Sequence, residues 1–208
     1  KTEQLLGGAQ EEATEDIMRM VGAGVDERAF SPLGFSLRKR LPWLLVNLAT
    51  AFLAAAVVGL FEELIAKITI LAVFLPVVAG QGGNAGAQSL AVVIRGIALR
   101  EIPRSRGMQL VMKEASLGVL NGAIIGVVTA AIAWAWHGNP YLGVVIGLAM
   151  LVNLAAAGLS GAAIPLALKA LGRDPAQSSS IFLTTVTDVV GFFAFLSFAV
   201  LFQQYLTK

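Results

Sequence analysis

Apolar residues fill most of the chain in long blocks, and five of these blocks are each long enough to cross a bilayer as a helix, which takes roughly 20 residues. They lie at about 42–64, 68–97, 111–135, 142–168 and 179–203. Breakers mark their edges. Ser31, Pro32 and Gly34 stand before the first span, and His137, Gly138, Asn139 and Pro140 form a turn between the third and fourth. The second block is expected to be interrupted, by Pro76 and by the run from Gly80 to Gln88. Residues 1–40 are polar and charged. Within them Ala13, Ile17, Met20 and Val21 share one helical face and Glu12, Glu15, Asp16 and Arg19 another, the pattern of an amphipathic helix lying outside the membrane. The predicted fold class is all-α integral membrane. An amphipathic helix and linker (1–40) lead into a membrane domain (41–208) of five transmembrane helices.

Composition agrees with the pattern. With 57% hydrophobic residues, 13% charged residues and a mean hydropathy of +0.78, the chain lies outside the range of soluble globular domains. There is no cysteine, so disulfides and thiolate ligands are excluded. The chain opens on Lys1 without a secretory leader and reads as a domain excised from a longer protein. A net charge of +2 says little about nucleic acid, but the placement of the basic residues sets a topology. Six precede the first span, five lie at 95–113 and two are Lys169 and Arg173, against Lys67 and Lys208 on the opposite side. The N-terminus is therefore expected in the cytoplasm and the C-terminus outside, in a cell inner or plasma membrane.

Small residues recur at helical spacing, as Gly118, Gly122 and Gly126 in the third span and Gly143 and Gly147 in the fourth. These are packing faces, which let two backbones approach where lipid supplies no hydrophobic drive.

One carboxylate lies deep in a span. Asp188 is about ten residues into the fifth block, roughly 15 Å along the axis at 1.5 Å per residue, and an acid at that depth needs a partner or water. Gln177, Ser180, Thr184, Asp188 and Gly191 form one stripe at helical spacing, and Phe195 ends its polar character. This suggests a wet vestibule reaching a narrow point. In the second span Gly80, Asn84 and Gln88 share a face at a matching depth. A single acid is a poor site for a divalent cation, whereas two copies across a two-fold axis present two carboxylates. Oxygen ligands without cysteine suit hard Mg²⁺ or Ca²⁺, and a site with few protein oxygens and retained waters suits Mg²⁺ best. Glu62 and Glu63 read as solvated boundary charges more than as cation concentrators. His137 reads as an exposed turn residue, and Arg95 as a rim or snorkelling residue.

PVVAGQGGNAGAQSLAVVIR at 76–95 and DPAQSSSIFLTTVTDVVG at 174–191 together resemble the MgtE magnesium channels, and EEATEDI at 11–17 resembles their connecting, or plug, helix. The resemblance runs over nearly the whole chain. It implies a homodimer in the lipid bilayer, with a pore between subunits lined by the second and fifth spans. Asp188 would hold hydrated Mg²⁺, and Asn84, Gln88, Thr184 and Gly191 would line the path. It further implies regulatory Mg²⁺ at Asp174, Glu15 and Asp16, and cytoplasmic N- and CBS (cystathionine-β-synthase-type) domains as partners. Passive conduction of Mg²⁺ is the leading functional expectation, with no nucleic acid involved. A transporter coupling a divalent cation to Na⁺ or H⁺ is the alternative, and a non-transporting scaffold a third. No Walker-type loop, nucleophile with a base or hydrolase metal spacing points to an enzyme.

Overall fold

The computed structural model describes residues 15–177 and 179–207. Residues 15–20 are helical, and the elements that follow are α1 (Leu33–Gly59), α2 (Glu62–Lys67), α3 (Ile70–Ala98), a 3₁₀ turn (Arg104–Arg106), α4 (Gly107–His137), α5 (Pro140–Ala170), α6 (Ser179–Leu201) and α7 (Gln203–Leu206). Among the described residues there is no strand. Five of the helices, α1, α3, α4, α5 and α6, are long and apolar enough to cross a membrane, which bears out the all-α membrane fold.

Two boundaries differ from expectation. The first helix starts at Leu33 and carries Arg38, Lys39 and Arg40 in its opening turns, with Pro32 before it and Gly34 inside it. Hydropathy marks where a helix enters lipid, whereas the backbone can begin its helix in water, where charged side chains cost nothing. At its far end this helix stops at Gly59. Glu62 and Glu63 then occupy the first turn of the separate helix α2, where carboxylates meet the positive end of the helix dipole.

A third difference is α3, which runs unbroken through Pro76 and the whole glycine run. An interrupted backbone in lipid would leave N–H and C=O groups without partners, at several kcal/mol each. That exceeds the ~1 kcal/mol helix penalty of a glycine, and Pro76 forfeits only its own hydrogen bond. The turn between α4 and α5 forms as the sequence predicts. Gly138 caps α4 in the left-handed region (φ 78°), and Asn139 caps α5 by accepting from the N–H groups of Tyr141 at 2.9 Å and Leu142 at 3.4 Å, with Pro140 in the first turn.

Helix α5 is the hub. It packs against α3, α4 and α6, while α3 also packs on α6, and α1 makes its main contact with α6 alone. The α4–α5 seam is made by the glycines that the sequence marks. A Cβ on Gly118 would come 2.3 Å from the Leu154 carbonyl oxygen, and one on Gly126 would come 2.8 Å from that of Gly147. The apolar core gathers Leu71, Phe74, Val78, Leu142, Ile146, Met150, Phe195 and Leu196 at the end of the bundle near α2. At the other end, here called the basic end, the α3–α4 and α5–α6 connections and the segment 15–32 come together.

Candidate functional site at the α3–α6 face

Asp188 is the tenth residue of α6, half-buried, and makes no hydrogen bond or ion pair among the described residues. The stripe it belongs to changes character along the helix. Gln177 and Thr184 are exposed, Ser180 and Asp188 are half-buried, and Gly191 and Phe195 are buried. The polar path on α6 therefore runs inward from the basic end and closes against packed aromatic surface.

On α3 the matching face is open. Gly80, Gln81, Asn84 and Gln88 are all exposed, and Arg95 is exposed further along the same face. Neither Asn84 nor Gln88 has a hydrogen-bond partner among the described residues. A row of unpaired amides in mid-span cannot face lipid tails and requires water, ions or another protein surface.

Packing fixes how deep these groups lie. Gly82 of α3 and Gly191 of α6 both abut the side chain of Asn153 on α5, so they are level. Asn84 is two residues and Asp188 three residues from that level toward the basic end, about 3 Å and about 4.5 Å of helix rise. The amide and the carboxylate thus share one depth. Gly191 differs from the expectation of a lining residue. Its Cβ direction points into Asn153, with 2.7 Å to Nδ2, so it serves the contact behind the face.

The basic end is covered by residues 15–27. The Ser180 hydroxyl donates to the Met20 carbonyl at 2.5 Å, and Met20 packs on Leu90, Ile94, Ala176 and Leu183. Gly22, at φ 74°, lies so close to Trp43 that a Cβ would be 2.8 Å from the Trp43 Cβ. A cavity of about 390 Å³ remains beneath this segment, with Arg40, Trp43, Asn47, Ser180 and Thr184 in its walls. Of the predicted amphipathic helix, Glu12 and Ala13 lie outside the described residues. Met20 packs inward, while Ile17 and Val21 remain largely exposed, so the apolar face is not buried as a unit.

Glu15 and Asp174 are brought together, with Arg19 between them: Nη2 is 2.8 Å from Glu15 and Nη1 2.5 Å from Asp174. The guanidinium sits between the two carboxylates, and hydrogen bonding to Asp174 is the main reason its pKa rises above the ordinary arginine value. Asp16 stands beside them and adds to the same field. Among the described residues, no three carboxylate, histidine or cysteine side chains gather into a metal-holding group within the chain. Glu62 and Glu63 are exposed and share a cavity of about 410 Å³ with Lys67 and Gln203 at the far end, and His137 is exposed at the end of α4.

Among the buried polar residues that the sequence reading did not single out, Glu114 and Asn153 lie between packed helices. Glu114 of α4, 2% exposed, accepts from Ser89 of α3 at 2.6 Å and pairs with Lys113 at 2.7 Å. Asn153 of α5 is 0% exposed. Both are polar residues within apolar blocks, which is the signal that could have found them.

A family model described as "Divalent cation transporter", MgtE, matches residues 75–198, which includes both faces of the site. Proteins named "Magnesium transporter MgtE" are similar over nearly the whole chain. The one from Enterococcus faecalis is 34% identical over 98% of this chain and 45% of its own length. The one from Bacillus subtilis is 32% identical over 92% and 42%, and the one from Thermus thermophilus 32% over 95% and 44%. The chain therefore spans less than half the length of these relatives. With a family match from residue 75 in α3 to residue 198 in α6 and relatives similar over nearly the whole of this chain, the chain belongs to the MgtE family of divalent cation transporters.

Proposed function

We propose that this chain is the membrane-embedded pore of a Mg²⁺ channel, in which two copies meet along their α3 and α6 faces and Asp188 binds hydrated Mg²⁺. The observation that carries this reading is the unpartnered Asp188 carboxylate at the same depth as the exposed, unpartnered Asn84. A carboxylate held there without a counter-charge costs several kcal/mol, and a divalent cation shared between two such groups offsets that cost. One copy supplies too few ligands, and a two-fold axis doubles them. Because Mg²⁺ sheds water reluctantly, carboxylate and amide oxygens that touch it through retained waters are sufficient. The exposed amides of Asn84 and Gln88 and the Thr184 hydroxyl line the approach.

In this reading the N-terminus and the basic end face the cytoplasm and the C-terminus the outside, an orientation supported by the excess of Lys and Arg on the former side. Inward flow is then favoured by a negative interior, at about 2.3 kcal/mol per charge per 100 mV. The segment 15–27 covers the cytoplasmic mouth. Glu15, Asp16 and Asp174 take a regulatory Mg²⁺ when Arg19 gives way, with N- and CBS domains as cytoplasmic partners.

The test is Mg²⁺ influx into liposomes under an imposed potential with no other gradient, comparing the parent with Asp188→Ala. The parent conducts and the variant, still a folded dimer, does not. Equal flux in both would place the ion path elsewhere. Flux that appears only with a Na⁺ or pH gradient would identify a coupled transporter instead.

A further inference from the structure

Three helices meet at one amide. Asn153 of α5 is fully buried, and its Nδ2 donates to the Val78 carbonyl of α3 at 2.8 Å. Its Oδ1 has no hydrogen-bond partner. A Cβ on Gly82 of α3 would stand 2.3 Å from Nδ2 and 2.9 Å from Oδ1, and one on Gly191 of α6 would stand 2.7 Å and 3.0 Å from the same atoms. The amide thus fits only because both helices lack a side chain where they meet it. What faces the oxygen is glycine Cα–H, a weak donor.

A leucine of similar volume would fill this place without burying a half-satisfied amide, which costs about 1–3 kcal/mol. The amide does what a leucine cannot: it bonds to one helix and seats the other against the same group. We propose that Asn153 is a positioning residue for cation selection, setting the depth of Asn84 relative to Asp188. The lever arms are short, about 3 Å of rise from Gly82 to Asn84 and about 4.5 Å from Gly191 to Asp188. A binding constellation works when its groups are held within about 0.5 Å by a locked supporting shell. Discrimination among hydrated divalent cations depends on the spacing of oxygens contributed by α3 and α6, and Asn153 is the side chain that touches both helices one turn away. The inference rests on the pore reading above.

The experiment measures Mg²⁺ and Mn²⁺ flux in liposomes for the parent, Asn153→Leu, Asn153→Ser and Gly82→Ala, with Gly122→Ala and Asp188→Ala as references. Each variant gives a maximal flux, a half-saturating Mg²⁺ concentration, a Mg²⁺-to-Mn²⁺ flux ratio and a melting temperature. In Asn153→Leu and Gly82→Ala the half-saturating concentration rises and the ratio changes by roughly tenfold, short of the 10²-fold that a 1 Å misplacement costs. Gly122→Ala, which strains the α4–α5 seam away from the site, lowers the melting temperature and leaves both quantities at parent values. The proposal is overturned if Asn153→Leu keeps the parent's half-saturating concentration and ratio, whatever its melting temperature. Should Asn153→Leu yield no folded protein, Asn153→Ser decides on the same two readings. An Asp188→Ala variant that conducts like the parent overturns the pore reading itself, separately from this inference.

Discussion

Arg19 holds two carboxylates at once, with Nη1 2.5 Å from Asp174 in the α5–α6 connection and Nη2 2.8 Å from Glu15, one turn before Arg19. The segment that covers the basic end is thereby tied to the connection that leads into α6, the helix carrying Asp188. Exposed pairs of this type contribute about 0.2–1 kcal/mol each, weak enough for a divalent cation to compete for the same oxygens.

Replacing Arg19 by Met should loosen residues 15–22 in the absence of Mg²⁺, because Glu15 and Asp174 then repel each other. Added Mg²⁺ should restore their protection. Amide hydrogen exchange at these residues, with and without Mg²⁺, measures this. A segment equally open at every Mg²⁺ concentration would rule out cation binding there.

Glu27 makes the covering segment acid-sensitive. Arg40 donates from Nε to its Oε2 at 3.0 Å and brings Nη2 within 2.5 Å of Oε1, without hydrogen-bond alignment at the second oxygen. Hydrogen bonds from Arg40 and then Ser36 hold the Glu27 carboxyl below its ordinary value of about 4.5, against the opposing effect of burial. A depressed carboxylate stabilises the folded form above the unfolded value and loses that contribution as pH falls through the folded one. Protection of residues 22–32 against exchange should therefore fall as the pH drops below about 4.5, and Glu27→Gln should flatten the dependence. A variant with the parent's pH profile would refute the assignment.

The glycines divide into those that are needed and those that are not. Gly118→Ala puts a methyl 2.3 Å from the Leu154 carbonyl oxygen, backbone against backbone, so neither side can yield cheaply. It should destabilise the bundle by about 1–3 kcal/mol, read from thermal unfolding in detergent. Gly34→Ala, in α1 with nothing within 4 Å, should instead stabilise by about 0.5–1 kcal/mol. Equal effects would mean that close helix approach is not what the glycines supply.

Glu114 ties α3 to α4 through Ser89. Removing the carboxylate with Glu114→Ala leaves the buried Ser89 hydroxyl without its acceptor, and about 1–3 kcal/mol should be lost. Glu114→Gln keeps an acceptor for Ser89 and should recover most of it. If the two variants unfold at the same temperature, the contact with Ser89 contributes nothing.

Much of this was legible in the sequence, because the bilayer imposes a simple rule. Each apolar block must be a helix, so all five spans, the Asn139–Pro140 turn and the glycine packing faces could be read directly, although which helices those faces join could not. Asp188 stood out because an acid in lipid has few explanations. What could not be read follows from geometry that periodicity does not contain. The sequence puts Gly191 on the Asp188 stripe, yet α6 turns that position toward Asn153. It shows Pro76 and a run of glycines, yet not that the cost of unpaired backbone in lipid outweighs both. Asn153 and Glu114 lay within apolar blocks, and their meaning came only from the partners that folding placed against them.

The slight attachment of α1 has a consequence for how the protein is made. Its principal partner within the chain is α6, which is synthesised after α3, α4 and α5. The first span must therefore wait in the bilayer as an independent helix while the others are inserted, which its own hydrophobicity allows. The bundle of α3, α4, α5 and α6 closes around α5 without it. A span that joins last and through one seam can find that seam on its own chain or on a neighbour's. Exchange of α1 between two newly made copies is thus the assembly error to which this topology is most open.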